Sequence, residues 1–104
     1  MKPVRVQQAA ARRIEEIYRY SFEQWGEAEA DAYITGLFEA FEGIATGTTR
    51  WRPVPVEFGV SGNYFRYHKH FVYWKSLSDG AIGIVSILHE RMHQLNQFRE
   101  DYEP

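Results

Sequence analysis

Cysteine is absent from this chain of 104 residues, and its absence excludes disulfide bonds, thiol nucleophiles and thiolate metal ligands. Long apolar runs are lacking as well, since none approaches the ~18 residues that a membrane-spanning helix needs. Seven of the first twenty residues are charged, a pattern unlike that of a secretory signal peptide. We therefore expect a soluble protein of the cytoplasm, with no segment in a membrane.

Aromatic side chains are abundant, with 3 Trp, 7 Tyr and 7 Phe. Each can bury roughly 150–250 Å², so even a short chain can fill a hydrophobic core. A content of 44% hydrophobic and 25% charged residues is typical of globular proteins. The length has room for one compact domain, and we expect residues 1–104 to form it, with a polar tail from about residue 99 to residue 104.

Charge is distributed unevenly, although the whole chain carries a formal net charge of only −2. Residues 1–49 hold five basic and eight acidic side chains, whereas residues 50–93 hold six basic and three acidic ones together with all 4 histidines. The middle of the chain therefore suits an anionic partner. Its positive excess is smaller than that of most nucleic-acid-binding proteins, so direct binding of nucleic acid is the less favoured interpretation.

Two amphipathic helices are predicted by the hydrophobic period of the first half. After a short alternating strand at Pro3–Gln7, apolar residues fall at helical spacing from about Gln8 onward. Gly26 ends the first helix, because glycine tolerates the left-handed conformation of a C-terminal cap. A second apolar stripe runs from Ala30 to Ala45. Two such helices joined around one glycine indicate an antiparallel hairpin.

The second half of the chain predicts a sheet. Pro53 and Pro55 keep the segment before it out of a helix or a central strand. The predicted elements that follow are strands at Asn63–Tyr67, His70–Leu77 and Ala81–Leu88 and a short helix at Arg91–Phe98. The last strand is apolar on both faces, so we expect it to be central in its sheet.

Neither the helix hairpin nor the sheet can bury its apolar face alone, so the hairpin must pack on the sheet. The predicted class is α+β: an N-terminal short strand and an antiparallel helix hairpin packed on a three- to four-stranded, mainly antiparallel sheet, with room for a short C-terminal helix. The face of the sheet opposite the hairpin is expected to be less covered, which makes it a natural working surface.

The sequence His89-Glu90-Arg91-Met92-His93 spells H-E-x-x-H, the motif of zinc-dependent hydrolases. On a helix, its two histidines would hold Zn²⁺ and its glutamate would deprotonate a metal-bound water. The motif begins directly after an apolar strand, however, and Arg91 places a charge where such enzymes pack an apolar side chain. We expect no metal and no other cofactor, and we interpret both histidines as side chains hydrogen-bonded to their neighbours.

Basic and hydroxyl side chains form a second candidate cluster, which consists of Arg66, Tyr67, His68, Lys69, His89 and Arg91. Groups of this kind can bind a phosphodiester and move protons in metal-free RNA cleavage. In that case Arg66, His89 and Arg91 would be the catalytic residues. The alternative is that the cluster only binds a partner or keeps an exposed strand solvated, with no catalytic residue at all.

Most of the chain resembles the RelE/ParE superfamily of toxins from bacterial type II toxin–antitoxin modules. The stretches that carry the resemblance are Ala11–Gly26 running into Ala30–Ala45, then Phe65–Trp74, then Ile82–Met92, in the family order. The spacing of Tyr, Trp-Gly, Ala and Tyr in the helices is similar to the ParE branch in particular. The ending Ile87-Leu88-His89-Glu90-Arg91-Met92 is also similar to the ParE branch.

The resemblance implies a toxin that binds and poisons DNA gyrase and is held inactive by a ParD-like antitoxin in a hetero-oligomer. It implies binding without catalysis, through a surface for the target or the antitoxin that consists of Arg66, His68, Lys69, His89, Arg91 and Met92. The alternative is the related RelE branch, whose members are ribosome-dependent, metal-independent mRNA interferases. Arg66 falls where that branch places a phosphate-binding arginine.

Overall fold

The computed structural model describes residues 2–102, with the backbone alone at Tyr102. Its elements are β1 (Val4–Val6), α1 (Gln8–Trp25), α2 (Glu27–Thr46), β2 (Arg52–Pro53), β3 (Asn63–Tyr67), β4 (His70–Ser76), β5 (Ile82–His89) and α3 (Gln94–Tyr102). A turn of 3-10 helix at Val56–Phe58 lies between β2 and β3. None of the helices described is both long and apolar enough to cross a membrane. The predicted α+β fold is confirmed.

The helix hairpin forms where the sequence pattern predicts it. Gly26 separates α1 from α2 at φ 92°, a region that residues with a Cβ rarely adopt. Its N–H donates to the carbonyl of Phe22 at 2.9 Å and so closes the last turn of α1. Glu27 and Glu29 occupy the first turn of α2, where the unpaired N–H groups of the helix favour negative charge.

The five strands form one sheet in the order β1-β5-β4-β3-β2. β1 runs parallel to β5, and the other neighbours pair antiparallel. β5 is buried from Ile82 to Leu88 and lies between β1 and β4, which confirms its predicted central position. The strand beyond the three or four predicted is the two-residue β2, which Pro53 restricts to the edge because proline has no N–H to donate.

The hairpin packs on one face of the sheet. Leu37 and Phe41 of α2 belong to the same buried cluster as Phe65, Val72 and Ile84 of the sheet, and all five are at most 4% exposed. This cluster is the main hydrophobic core, and its burial accounts for most of the driving force that holds the hairpin in place.

A close approach between α2 and β3 explains a glycine inside a helix. A Cβ at Gly36 would collide with the hydroxyl of Tyr67, which donates to the carbonyl of Tyr33 at 2.8 Å. Glycine in a helix interior costs roughly 0.5–1 kcal/mol relative to alanine. The tyrosine can reach the helix backbone only because Gly36 has no side chain, so the contact accounts for a residue that helix propensity disfavours.

The opposite face of the sheet has the smaller buried cluster, as expected of the less covered face, but it is not open. Phe98 of α3 and Phe58 of the 3-10 turn form a second cluster with Tyr73 and Leu88. These four side chains are at most 9% exposed. The apolar side chains of this face are therefore occupied within the chain.

Helix α3 begins three residues later than predicted, at Gln94, and continues through Tyr102. The polar residues beyond Phe98 predict a tail, with the end of the helix at Phe98. The first part of that tail is helical, and residues 103 and 104 lie outside the described residues.

A polar network fastens α3 to α1 and β5. Arg13 of α1 donates to both carboxylate oxygens of Asp101, at 2.9 and 3.1 Å. Ser86 of β5 donates its hydroxyl to the same carboxylate at 2.7 Å, and Arg13 also donates to Gln97 at 3.0 Å. The Asp101 side chain is only 5% exposed, and its hydrogen bond raises the pKa of Arg13. The polar residues at the end of α3 thus have a structural role.

Candidate functional site

Two turns meet at one end of the sheet, where β3 joins β4 and where β5 ends. The N–H of Glu90 donates to the carbonyl of Lys69 at 2.8 Å, and His89 pairs with His70 across β4 and β5. His68 has a positive φ of 51°, as tight hairpin turns require. We call this end of the sheet the cationic end; the residues predicted to bind a partner lie in or beside its two turns, namely Arg66, His68, Lys69, His89, Arg91 and Met92.

Arg66 is held in one orientation by three contacts. Its Nη2 forms an ion pair with Glu90, and its Nε donates to the carbonyl of His68 at 2.8 Å. The guanidinium carbon lies 5.4 Å from the ring centre of Phe71, within the range of a cation–π contact. The side chain is still 56% exposed. Arg66 therefore presents a fixed guanidinium to solvent, with its charge partly balanced by Glu90.

Lys69 and Arg91 supply the unbalanced charge of this surface. Both are exposed, and within residues 2–102 neither forms an ion pair. Met92 follows Arg91 and is 37% exposed. Arg66, Lys69 and Arg91 outnumber the single carboxylate of Glu90, so the cationic end has a net positive potential, which attracts anionic groups.

His70 lies behind this surface in a mostly buried cluster. Its Nδ1 is 2.7 Å from the hydroxyl of Tyr33, and its ring centre is 5.2 Å from that of His89. Burial, followed by the neighbouring charge of His89, lowers the pKa of His70 from 6.5 to about 4. Burial also raises the pKa of Tyr33 to about 12. At neutral pH a neutral tyrosine therefore contacts a neutral histidine.

The Tyr33 hydroxyl also contacts the neighbouring backbone. The N–H of Lys69 donates to the Tyr33 hydroxyl oxygen, and this bond lowers the pKa of Tyr33 against the effect of burial. The same oxygen is 2.7 Å from Nδ1 of His70, and the tautomer of the imidazole sets which of the two groups donates. Tyr33 thus ties the β3–β4 turn to helix α2.

The H-E-x-x-H segment is a strand end followed by a turn. His89 is the last residue of β5, and its Nδ1 accepts the N–H of Arg91 at 3.1 Å. His93 precedes α3, and its Nδ1 accepts the N–H of Asn96 at 3.3 Å, as an N-cap side chain does. The two imidazoles do not share a helix face, as this zinc motif requires. Within residues 2–102, no group of three or more His, Cys, Asp or Glu side chains is placed to hold a metal ion.

The sheet separates Arg66 from His89. Arg66 lies over Phe71, which packs on the α3 face. The ring of His89 contacts His70, which bonds to Tyr33 on the hairpin face. Metal-free cleavage of a phosphodiester needs an acid, a base and a cation around one phosphorus atom. Arg66 and His89, two of the three residues predicted for that reaction, lie on opposite faces of the sheet.

The chain also matches a known protein family. Residues 4–94 match the profile of the ParE toxin of the type II toxin–antitoxin system parDE. This chain belongs to the ParE toxin family. The match extends from β1 to the first residue of α3 and so includes the hairpin, the sheet and the cationic end. The protein is a type II toxin, a class whose members have an antitoxin partner. A comparison with curated proteins gives no match.

Sequence reasoning missed two residues of the site in this ParE family member. Tyr33 was assigned to the apolar stripe of α2, and His70 was named only as the first residue of a predicted strand. The structure places both behind the cationic end, where they fix the turn that carries Lys69. The available signal was Gly36, since a glycine inside a strong helical pattern indicates a close approach by another residue.

Proposed function

We propose that this ParE family toxin poisons DNA gyrase in the bacterial cytoplasm and is held inactive by a ParD-like antitoxin. It acts by binding, without covalent chemistry by its own side chains. The observation that carries the proposal is the cationic end, where the turns that hold exposed Lys69 and Arg91 meet and where Arg66 has a fixed guanidinium. Family membership supports the class of partner, and the separation of Arg66 from His89 supports binding over cleavage.

An acidic segment of the antitoxin is the partner that fits the cationic end. Opposite charges steer association and fix the register of a complex, and Met92 adds an exposed apolar contact beside them. The hairpin is a poor alternative for such a segment. Residues 8–46 carry three basic and eight acidic side chains, so their field repels an acidic chain.

The test replaces both unpaired cations, in the variant Lys69→Ala/Arg91→Ala. We expect its growth arrest on induction to be relieved, or its affinity for the antitoxin encoded beside it to fall about tenfold, because charge complementarity is lost. Arg12→Ala, at an exposed arginine on α1, is the matched control and should behave as the unchanged protein. Unaltered arrest and unaltered affinity in the double variant would remove the cationic end from the proposal.

The target is tested separately with the unchanged protein. We expect purified toxin to trap gyrase on supercoiled plasmid, which appears as linear DNA after the enzyme is denatured. Ribosomes programmed with mRNA should show no new cleavage sites in the same preparation. Cleavage of mRNA without gyrase-dependent DNA breaks would replace this proposal with the RelE-like interferase.

A further inference from the structure

The segment that leads into β2 carries an exposed aromatic side chain between two cations. Arg50, Trp51 and Arg52 follow one another in the chain, and both arginines are exposed. Trp51 is 50% exposed, although an indole gains free energy from leaving water. The chain has no acidic residue between Glu42 and Glu57. Because β2 is the last strand of the sheet, we call these three consecutive residues the aromatic edge.

A second tryptophan supports Trp51 from the side of the core. The ring centres of Trp51 and Trp74 are 5.3 Å apart, and the two planes are nearly perpendicular at 84°. Trp74 belongs to the main hydrophobic core and is 6% exposed. A side chain that already rests on a buried neighbour loses less freedom when a ligand binds it. The exposed half of Trp51 is therefore a supported surface for contact.

The two arginines of the aromatic edge have no anionic partner in the part of the chain that the structure describes, since neither forms an ion pair there. Arg52 pairs with Tyr64 across β2 and β3, so the two side chains share a face of the sheet. Arg66 is two residues from Tyr64 along β3 and lies on the same face. Positive charge thus continues from the aromatic edge toward Arg66, and it is open to phosphate groups.

We propose that the aromatic edge binds single-stranded nucleic acid, with a base stacked on Trp51 and neighbouring phosphates on Arg50 and Arg52. The bases of a single strand have open π faces that stack on aromatic side chains, whereas the bases of a duplex are stacked on one another. Guanidinium groups bind phosphate through paired N–H donors. The summed charge of residues 50–93 is small for a nucleic-acid-binding protein, but at this edge the charge flanks an exposed ring.

A protein segment fits this edge less well than a nucleic acid does. Addition of a peptide strand needs a row of free N–H and C=O groups. β2 has only two residues, one of which is Pro53, and Pro55 follows it, so two N–H donors are missing. An acidic peptide would satisfy Arg50 and Arg52 but would offer no planar group to Trp51. The exposed indole is therefore the feature that favours a nucleic acid.

The first test titrates the full chain into dye-labelled oligonucleotides of about 12 nucleotides, within the range of known single-strand sites. Fluorescence anisotropy at low salt is expected to show binding of oligothymidylate, oligouridylate or both. Any of these results supports the proposal, and the tighter ligand identifies the sugar of the nucleic acid. Equal affinity for a duplex of the same length, equal competition by polyglutamate, or no binding of either oligonucleotide would overturn it.

Trp51→Leu tests the stacked base. Leucine keeps an apolar side chain beside Trp74 but has no π face, so the oligonucleotide should bind about tenfold more weakly. Trp51→Phe restores an aromatic ring and should recover most of the affinity. Trp25→Leu, at an indole that is 63% exposed on the acidic hairpin, is the matched control and should bind as the unchanged protein does. Equal affinities in Trp51→Leu and Trp25→Leu would exclude Trp51 as the stacking surface.

Arg50→Gln/Arg52→Gln tests the phosphate contacts. Each contact with a single strand contributes about 0.7 to the slope of log affinity against log salt concentration, so this slope should fall in magnitude by about 1.4. Arg12→Gln/Arg19→Gln removes the same charge from exposed positions on α1 and should leave the slope unchanged. Equal slopes in the two variants would overturn the role of the arginines. Gyrase and antitoxin are absent from these titrations, so their outcome is separate from that of the proposed function.

Discussion

The two faces of the sheet are covered by helices in different ways. One face is covered by α1 and α2, which contribute 18 and 20 residues, whereas α3 on the other face contributes 9. Among the described residues, the hairpin-side cluster has eleven buried members and the α3-side cluster has four. Hydrophobic free energy scales with buried apolar area, so most of it belongs to the hairpin side.

On the face with the smaller apolar cluster, polar contacts help to hold the helix on the sheet. α3 is attached through the carboxylate of Asp101, which accepts hydrogen bonds from Arg13 and Ser86. A helix held by few apolar side chains and one polar network can open without the rest of the domain. The comparison therefore indicates a cooperative unit of hairpin and sheet, with α3 as a separately fastened cover.

The largest expected effect comes from truncating one phenylalanine on each face. Phe41→Ala, at a side chain that is 0% exposed, should lower the free energy of unfolding by about 4 kcal/mol through lost burial and a cavity. Phe98→Ala, at one that is 1% exposed, should cost about 2 kcal/mol, because α3 can open locally and so limit the loss. Urea unfolding at neutral pH measures both.

The control for this pair is Val56→Ala, at a side chain that is 94% exposed, which should change stability by less than about 0.5 kcal/mol. An equal loss from Phe41→Ala and Phe98→Ala would mean that both faces unfold as one unit. The distinction between a core and a cover would then be wrong.

A smaller effect, on the local opening of α3, is expected from weakening the polar contacts of this helix. Asp101→Asn keeps the shape of the side chain but leaves the largely buried guanidinium of Arg13 without its charge partner. We expect α3 to open more readily by about 2 kcal/mol. Amide hydrogen exchange in α3 should then be roughly thirtyfold faster, while the amides of α2 exchange as before.

Glu100→Gln is the matched control for Asp101→Asn, because it removes an exposed carboxylate from the neighbouring position of the same helix. The α3 amides of this variant should exchange hydrogen at the same rate as those of the unchanged protein. Equal acceleration in both variants would indicate that the net charge of α3, and not the contact with Arg13, decides how firmly the helix is attached.

The hairpin face could be predicted from the sequence because its signals are local. Helical periodicity and Gly26 gave the two helices, and alternation with turn residues gave the strands. The α3 face could not be predicted in the same way, because the attachment of α3 depends on residues that are far apart in sequence. Nothing in the order of residues indicates that Arg13 would meet Asp101, so a polar helix end was interpreted as a tail.

The candidate site could be predicted only in part for a similar reason. Charge and family resemblance grouped Arg66, Lys69 and Arg91, and the structure places them at one end of the sheet. Which face each side chain occupies depends on strand register, and this separates Arg66 from His89. The role of Tyr33 depends on how α2 lies across the sheet, which is a property of the packed fold.

The smallest effect concerns a polar contact on the hairpin face and depends on pH. The pKa of His70 is lowered to about 4 in the folded protein from 6.5, so the unfolded state binds more protons between these values. The stability that His70 contributes is therefore complete above about pH 6.5 and is lost as the pH falls toward about 4. We expect this loss to be about 1.5 kcal/mol after allowance for the partial exposure of the ring.

Two variants separate this contribution from the general acid sensitivity of carboxylates. His70→Asn keeps an acceptor near the Tyr33 hydroxyl but cannot titrate, so its urea stability should fall less steeply between about pH 6.5 and 4. Tyr33→Phe removes the hydrogen bond and leaves the ring buried. Because burial is the main cause of the lowered pKa of His70, Tyr33→Phe should retain most of the slope. If Tyr33→Phe flattened the dependence of stability on pH as much as His70→Asn does, the hydrogen bond would be the main cause of the lowered pKa of His70. The hairpin face would then depend on polar contacts, much as α3 does.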